Sequence, residues 1–219
     1  MEVDHGPTLV DNNLLLSTVG IRTQSEGSAI VHNLIAGQLC MWPEPNRFTP
    51  YHLPHSTEVA GLSTIFSGDD RYFNNIVLGI GPELNAKAPR YNYGLVGYND
   101  AKLPVWISGN IYYGRAIPYK GEVSKVENHG FNADSKIMEE GNQVYLNIKL
   151  EDSNTYPKTQ FITTALLVKA KMPNEAFENA DGIPLKIDSD FMGNKRSESN
   201  PSPGPFENPG KGMIKLKVW

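Results

Sequence analysis

The sequence contains a single cysteine, Cys40, among its 219 residues. An intrachain disulfide framework is therefore excluded, and the redox compartment of the protein is left open. No apolar run approaches the about 20 residues that a membrane-spanning helix needs, so we expect no membrane partner. The net charge is −4, from 20 Lys and Arg against 24 Asp and Glu. Nothing in this balance favours a nucleic acid as ligand.

Stretches of helical period are also nearly absent, whereas residues that form turns are abundant. The chain has 20 Gly, 16 Pro and 20 Asn, which favours a turn-rich all-β protein. A phosphate-binding loop, a cluster of Cys and His, and a G-x-S-x-G motif are all missing, so we expect neither a cofactor nor a metal. Residues 188–190 with Asn194 are weakly similar to a calcium loop, but they lack its glycine and its final glutamate.

Four short segments in the first half share one pattern: an Asn, an aliphatic residue, two apolar or small residues, and then Gly or Ser. They are residues 13–17, 33–37, 75–79 and 110–114, with starts 20, 42 and 35 residues apart. This recurrence is typical of stacked coils of a parallel β-solenoid with loops of different length between the strands. We predict that each segment is one strand of one coil. The four Asn side chains are then expected to form a hydrogen-bonded ladder inside a bend.

The fold class predicted from these patterns is all-β, with parallel β-helix coils followed by a small antiparallel β-domain. The coils and their insertions are expected in residues 1–124. Beyond them, residues 143–150 and 214–219 alternate between apolar and polar, which predicts strands exposed on one side. We therefore expect residues 125–219 to form a sandwich-like antiparallel domain that caps the end of the coils.

The first residues, 1–7, show no charged leader and no apolar segment of a signal peptide. They lead directly into a coil without a polar cap, and an uncapped end exposes apolar core and unpaired backbone groups. We therefore expect the chain to be the carboxy-terminal part of a longer protein. By itself it is expected to form a homodimer through the open end. The sequence favours no particular compartment, whether cytoplasmic, periplasmic or extracellular.

Several further phrases accompany the repeated pattern. They are residues 2–7 with 11–13, 25–27 with 31–34, 49–52 with 55–56, 68–75, 203–206 and 216–219. These phrases resemble the carboxy-terminal region of bacterial right-handed parallel β-helix glycosidases, and in particular glycoside hydrolase family 120, the β-xylosidases. The resemblance covers nearly the whole chain but only part of the family's length. It implies retaining hydrolysis of β-xylosidic or related linkages in plant-type oligosaccharides.

Two carboxylates, Asp4 and Glu26, stand in the matching phrases. Retaining glycosidases use two carboxyl groups about 5 to 5.5 Å apart, and adjacent strands are about 4.8 Å apart. Alignment of Asn13 with Asn33 places Glu26 opposite Gly6, two residues from Asp4 and so on the same face. The resemblance implies that Asp4 is the nucleophile and Glu26 the acid/base. From the residues alone, a bend residue at Asp4 and a solvated turn residue at Glu26 stay open as alternatives.

The remaining candidates for substrate binding lie in loops, most of them in the longest insertion, residues 38–73. They are His5, His52, His55, Trp42, Asp70 and Arg71. Histidines in loops serve packing as commonly as binding. An aromatic ring such as Trp42 or Tyr51 can stack on a sugar or pack in the core. The Asp-Arg pair is either a substrate clamp or a structural ion pair.

Two classes of function follow from the sequence. The first is a retaining glycosidase whose partner is an oligosaccharide, with the expectation that this chain alone is inactive or nearly so. The second is a non-catalytic carbohydrate-binding or structural β-helix fragment.

Overall fold

The computed structural model describes residue 1, residues 3–82 and residues 90–219. Glu2, which begins the first of the family-like phrases, lies outside the described residues. Within them the chain is all-β, with one helical turn, α1 (Thr164–Leu167), and two 3₁₀ turns, Val96–Asp100 and Ser153–Thr155. No helix of this described part is long and apolar enough to cross a membrane.

Three sheets carry the first half of the chain, and successive strands enter them in turn. The first sheet has the parallel order β1 (Thr8–Asp11), β4 (Ser28–Val31), β9 (Arg71–Phe73), β12 (Trp106–Ser108). The second has the parallel order β2 (Leu14–Leu15), β5 (Leu34–Ile35), β10 (Ile76–Gly79), β13 (Asn110–Gly114), β14 (Lys125–Asn128). The third has the order β3 (Val19–Thr23), β6 (Gln38–Met41), β11 (Tyr91–Asn92).

The four strands with the Asn pattern therefore lie side by side in one parallel sheet, as the sequence predicted. In the third sheet β3 and β6 are parallel. In contrast, β11 runs antiparallel to β6, with Tyr91 opposite Cys40. The stacking of described strands is thus uniformly parallel in two sheets and mixed in the third.

The bend between the first and second sheets recurs at the same point of every coil. The residue before each pattern Asn has a positive φ: Asn12 55°, His32 55°, Asn74 58° and Gly109 77°. This left-handed conformation costs least for Gly and Asn, which explains the polar residues in front of the pattern. The bend then turns the next side chain, the pattern Asn, into the interior.

The pattern Asn residues form the predicted amide ladder. Asn13 Nδ2 donates to Asn33 Oδ1 at 3.1 Å, and Asn33 Nδ2 donates to Asn75 Oδ1 at 3.1 Å. Asn75 Nδ2 donates to Asn110 Oδ1 at 2.9 Å. The ladder ends where Asn110 Nδ2 donates to Glu122 Oε1 at 2.8 Å. Each Asn side chain therefore hydrogen-bonds to the next residue of the ladder, and all of them except the exposed Asn13 are buried inside the coils.

The core between the three sheets is apolar and aromatic. Its buried residues come from every coil and include Ile21, Ile30, Ile35, Leu39, Tyr72, Val77, Tyr93, Ile107 and Tyr112. Burial of such side chains stabilises by about 1.5 to 3 kcal/mol each, which makes this interior the main support of the coils.

The second half packs on the side of the coils. Its largest sheet is antiparallel, with the order β15 (Lys136–Glu140), β16 (Gln143–Leu150), β19 (Gly212–Lys217). Leu146 and Ile148 of this sheet pack against Leu34 and Ile76 of the second parallel sheet. This position differs from the expected cap at the end. The alternating apolar face of β16 matches the outward apolar face of the parallel sheet, so lateral packing buries both.

The predicted boundary after residue 124 falls between two strands that pair. β14, which begins at Lys125, continues the second parallel sheet by pairing with β13. Farther along, a loop-rich segment with β17 (Lys169–Ala170) and β18 (Glu175–Ala176) covers the outer side of the first sheet. Both halves of the chain thus share apolar clusters.

The middle of the long insertion, residues 38–73, forms a two-stranded hairpin of β7 (Glu44–His52) and β8 (Val59–Ile65), while its ends belong to β6 and β9. The inner side of this hairpin faces the first coil, because Thr49 is buried and Tyr51 contacts His5. Its position beside residues 4–6 defines the candidate site.

Candidate functional site

A cleft of about 400 Å³ lies between the start of the first coil, the β7–β8 hairpin and β18. It is lined by Asp4, His5, Gly6, residues 50–53, residues 55–57 and Glu175. A larger cavity, of about 980 Å³, lies elsewhere, around Tyr93, Arg115 and Phe131. That cavity contains none of the predicted site residues. The cleft is the better candidate because it brings several of them together.

Asp4 is held at the floor of the cleft. Its Oδ1 accepts a hydrogen bond from Gly6 N at 2.8 Å, and its Oδ2 accepts one from the Thr8 hydroxyl. The backbone carbonyl of Asp4 accepts from Glu26 N at 2.8 Å, which joins the two residues across adjacent coils. The predicted alignment is correct in β1 and β4, where Thr8 pairs with Ser28. Before β1 the backbone brings Asp4 still closer to Glu26 than that alignment implied.

Glu26 points into the protein and is 1% exposed. Its Oε1 accepts a hydrogen bond from Phe66 N, just after β8. Its Oε2 lies 3.3 Å from His5 Nδ1. Glu26 therefore connects the second coil both to the base of the hairpin and to the residue next to Asp4. A solvated turn at this position, the alternative left open by the sequence, is wrong.

His5 is buried between Glu26 and the hairpin. Its Nε2 lies 3.3 Å from the Ser63 carbonyl oxygen, and its ring meets Tyr51 edge-on with centroids 6.0 Å apart. Burial works to lower the pKa of His5, but the hydrogen bond and negative charge of Glu26 outweigh it, so the pKa is raised from 6.5. The predicted contact of His5 with a sugar does not fit its 1% exposure.

A third carboxylate continues the row on the next coil. Gly27 N donates to the Asp69 carbonyl oxygen at 3.0 Å, so Asp69 follows Asp4 and Glu26 on successive coils. Burial raises the pKa of Asp69, while its hydrogen bond from Lys171 N and the Arg71 guanidinium act to lower it. The ion pair between Arg71 Nη1 and Asp69 Oδ1 is 3.0 Å long. This third carboxylate is therefore neutralised within the protein.

Asp70 and Arg71 have no surface with which to touch a sugar, because both are 0% exposed. Arg71 Nε and Nη2 donate to the carbonyl oxygens of Leu167 and Lys169, each at 2.7 Å. Asp70 accepts from Ser28 N at 3.0 Å and from the Tyr98 hydroxyl at 2.9 Å. Their assignment as substrate-binding residues is thus corrected. The hydrogen bonds of Arg71 connect the covering segment to the first sheet. This structural role is the alternative to substrate binding that the sequence left open.

The other two predicted histidines also line the cleft, and unlike His5 they are exposed. His52 ends β7, and His55 follows it at the exposed tip of the hairpin. His55 Nε2 lies 3.4 Å from Oε2 of Glu178, a residue that follows β18 in the chain. Both side chains are exposed and available to a ligand.

Trp42 lies outside the cleft. It borders a separate hollow of about 300 Å³ with Arg90 and Asp100. Its ring meets Tyr91 edge-on, with centroids 6.3 Å apart, and the Arg22 guanidinium lies 4.9 Å from the ring centroid. The structure therefore separates Trp42 from Asp4, because β6 carries it to the third sheet.

Glu175 also lines the cleft, and the sequence did not predict this position. It is brought to the opening by β18, some 170 residues after Asp4, through packing of the covering segment on the first sheet. A local pattern carries no signal for such long-range placement.

The segment weakly similar to a calcium loop forms a turn instead. Asp190 accepts hydrogen bonds from the backbone N of Met192, Asn194 and Glu207, each at 2.8 Å. Among the residues that the structure describes, no group of three or more His, Cys, Asp or Glu is placed to hold a metal ion.

Fold and site together define an all-β protein with parallel sheets and a carboxylate at the floor of a cleft. No family model and no curated protein matches the chain. A solved structure, the complex structure of XylC with xylose, matches all of this chain with a TM-score of 0.90 and 34% sequence identity. The chain covers 37% of XylC. This similarity confirms the resemblance to the β-xylosidases of glycoside hydrolase family 120.

Proposed function

We propose that this chain is the catalytic part of a right-handed parallel β-helix glycoside hydrolase that cleaves β-xylosidic or related linkages with retention. The similarity to XylC supports a carbohydrate ligand and a glycosidase. The ordered entry of successive strands into three stacked sheets supports the β-helix. The substrate is an oligosaccharide that enters the cleft between the hairpin and β18.

The observation that carries this proposal is the direct backbone hydrogen bond of 2.8 Å from Glu26 N to the Asp4 carbonyl oxygen. It joins the backbones of the two residues on adjacent coils, and adjacent strands are about 4.8 Å apart. Retaining glycosidases need about 5 to 5.5 Å between their two carboxyl groups. Asp4 attacks the anomeric carbon, while Glu26 protonates the leaving oxygen. Glu26 then activates the water that releases the sugar.

A second candidate function is carbohydrate binding without catalysis. The observation that favours it is the burial of Glu26, whose two oxygens contact Phe66 N and His5. A general acid must reach the leaving oxygen directly or through one water. If Glu26 stays enclosed when sugar binds, Asp4, His52 and His55 form a binding site alone.

The two candidates are separated by Asp4→Asn and Glu26→Gln in the full-length protein, with Glu175→Gln as the control carboxylate in the same cleft. We expect Asp4→Asn to abolish turnover and azide to restore it with inverted product. Glu26→Gln should lower turnover by about 10² to 10⁴-fold, and less for substrates with good leaving groups. Glu175→Gln should keep turnover.

Retention of activity by Asp4→Asn within about tenfold of the wild type would remove the enzymatic assignment, since loss of a nucleophile costs far more. Binding of xylose by a wild-type protein that does not hydrolyse any xyloside would support the second candidate.

A further inference from the structure

The hairpin holds Nε2 of His5 against a group that can only accept a hydrogen bond. This group is the Ser63 carbonyl oxygen, 3.3 Å from Nε2. A carbonyl oxygen has no proton to give, so Nε2 must carry the proton. The hairpin thus fixes which ring nitrogen of His5 is always protonated.

The other nitrogen of the ring faces a carboxyl group. His5 Nδ1 lies 3.3 Å from Glu26 Oε2, and both side chains are 1% exposed. A hydrogen bond here requires one proton, carried either by Nδ1, giving an imidazolium beside a carboxylate, or by Oε2, giving a neutral ring beside a carboxylic acid. Without that proton, a nitrogen lone pair and a carboxylate oxygen would face each other inside the protein.

We propose that His5 and Glu26 hold one proton between them, and that His5 is the positioning residue that keeps this proton on the pair. The proposal deepens the retaining mechanism proposed above and depends on it for its catalytic consequence. It does not require a cofactor, because the proton comes from water and returns to water.

Two further carboxyl groups, those of Asp69 and Asp4, lie near the pair. Asp69 faces Glu26 from the next coil, but its ion pair with Arg71, 3.0 Å long, compensates its charge. Asp4 is bonded to Gly6 N and the Thr8 hydroxyl, on the cleft side. Tyr51 of the hairpin presents a ring edge to His5.

In the first step of the double displacement, Glu26 gives the shared proton to the leaving glycosidic oxygen as the bond from the anomeric carbon to that oxygen breaks and the bond to Asp4 forms. His5 is then neutral, with its proton on Nε2. In the second step Glu26 takes a proton from the incoming water while the oxygen of that water replaces Asp4. The shared proton is restored. In the intermediate the lone pair of Nδ1 faces the Glu26 carboxylate, which makes Glu26 a stronger base for the second step.

The proton on the pair can be followed without activity, by ¹⁵N NMR of the histidine-labelled full-length protein as the pH is varied. The His5 resonances are assigned by their loss in His5→Gln. We expect Nε2 to stay protonated throughout the titration, and Nδ1 to lose its proton at a pH that falls by about one unit or more in Glu26→Gln. The same titration of His5 in both proteins would overturn the proposal.

A matched pair of variants gives the catalytic readout. His5→Asn keeps an N–H near the position of Nδ1, and His5→Gln can keep one near Ser63, but neither side chain titrates. We expect the basic limb of the kcat/KM profile to move to lower pH by about one unit or more in both. The loss of kcat should be larger for poor leaving groups. A purely structural role predicts an unchanged pH profile in His5→Asn, and that result would overturn the proposal.

Failure of this inference and failure of the proposed function give different results. Coupled titration of His5 and Glu26 in a protein without glycosidase activity supports the shared proton and removes the proposed function. Independent titration in an active enzyme that requires Asp4 removes the shared proton and leaves the proposed function intact.

Discussion

Glu122 and Asp70 are buried carboxyl groups, and neither forms an ion pair within the part of the chain that the structure describes. Burial raises the pKa of Glu122 from 4.5 to about 7, although hydrogen bonds from Tyr112 and Asn110 act to lower it. Burial likewise raises the pKa of Asp70 from 3.8 to about 7. The folded state therefore binds protons more tightly than the unfolded state between about pH 4 and pH 7. Stability is fully present below this window and declines as the pH rises through it.

We predict that Glu122→Gln reduces this decline. The glutamine oxygen can still accept from Asn110, and the Tyr112 hydroxyl can accept from the glutamine amide. The loss of unfolding free energy between pH 5 and pH 8 should be smaller in the variant by up to about 3 kcal/mol. Urea unfolding at the two pH values measures it. Asp70 should supply the pH dependence that remains in the variant. The same loss of unfolding free energy in the wild type and in Glu122→Gln would contradict the assignment of part of this pH dependence to Glu122.

At the scale of elements, the Asn ladder joins the coils of the second sheet. Asn75 is an inner member of the ladder: Nδ2 donates to the Ile30 carbonyl oxygen and to Asn110 Oδ1, each at 2.9 Å. Its Oδ1 accepts from Asn33 N at 2.9 Å. Every one of these partners is buried inside the coil, away from water that could replace the lost bond.

We predict that Asn75→Ala lowers the free energy of unfolding by more than about 3 kcal/mol, because several buried groups lose their partners at about 1 to 3 kcal/mol each. Asn13→Ala is the matched control. Asn13 is exposed at the start of the ladder, so Asn13→Ala should lower the free energy of unfolding by less than about 1.5 kcal/mol. Denaturant unfolding of both variants compares them, and equal losses would show that the ladder does not depend on burial.

The ladder could be predicted from the sequence because a repeated Asn at the entry of a strand has few other uses. The position of the antiparallel sheet could not be predicted. Alternation in residues 143–150 identifies an amphipathic strand, but it does not say which apolar surface that strand covers. The antiparallel sheet packs laterally on the second sheet through Leu34 and Ile76. These residues lie in strands with the continuous apolar pattern of a strand buried on both faces, and that pattern does not identify what covers the outward face.

At the scale of the whole molecule, the coil sheets end in outer strands on the side of the first coil. Among the described residues these are β1, β2 and β3. The end of β3 is partly covered, because Met1 N donates to the Arg22 carbonyl oxygen at 2.8 Å and Val3 N to the Gln24 carbonyl oxygen at 2.9 Å. Unpaired strand edges tend to pair with another chain. Two copies that meet at this end would bury the edges isologously, with a twofold axis.

We predict that the 219-residue chain forms a dimer in dilute solution and has little or no xylosidase activity. Asp4 lies just before β1, one of the strands that would meet in such a dimer, so dimer formation would bring the second copy close to the cleft. Sedimentation velocity over a range of concentrations, combined with an activity assay, tests both statements. A monomer with ordinary β-xylosidase activity would show that the end is already closed.

The candidate site was predicted in part. Asp4 and Glu26 were proposed because their phrases match a family and their spacing matches adjacent coils; the structure joins their backbones, and their catalytic roles stay a prediction. The roles of Asp70 and Arg71 were wrong because sequence does not reveal that a segment 96 residues after Arg71 will accept its guanidinium hydrogen bonds. Glu175 was missed for the same reason, since tertiary packing alone brings it to the cleft.

The central claim is that Asp4 forms a covalent bond to the sugar. The most direct test treats the full-length protein with a 2-fluoro-xyloside that carries a good leaving group, which slows release of the glycosyl-enzyme, and locates the added mass by peptide mass spectrometry. We expect one fluoroxylosyl group on the peptide that contains Asp4, and none in Asp4→Asn. A label on a different carboxylate, or full turnover without any labelled intermediate, would contradict it.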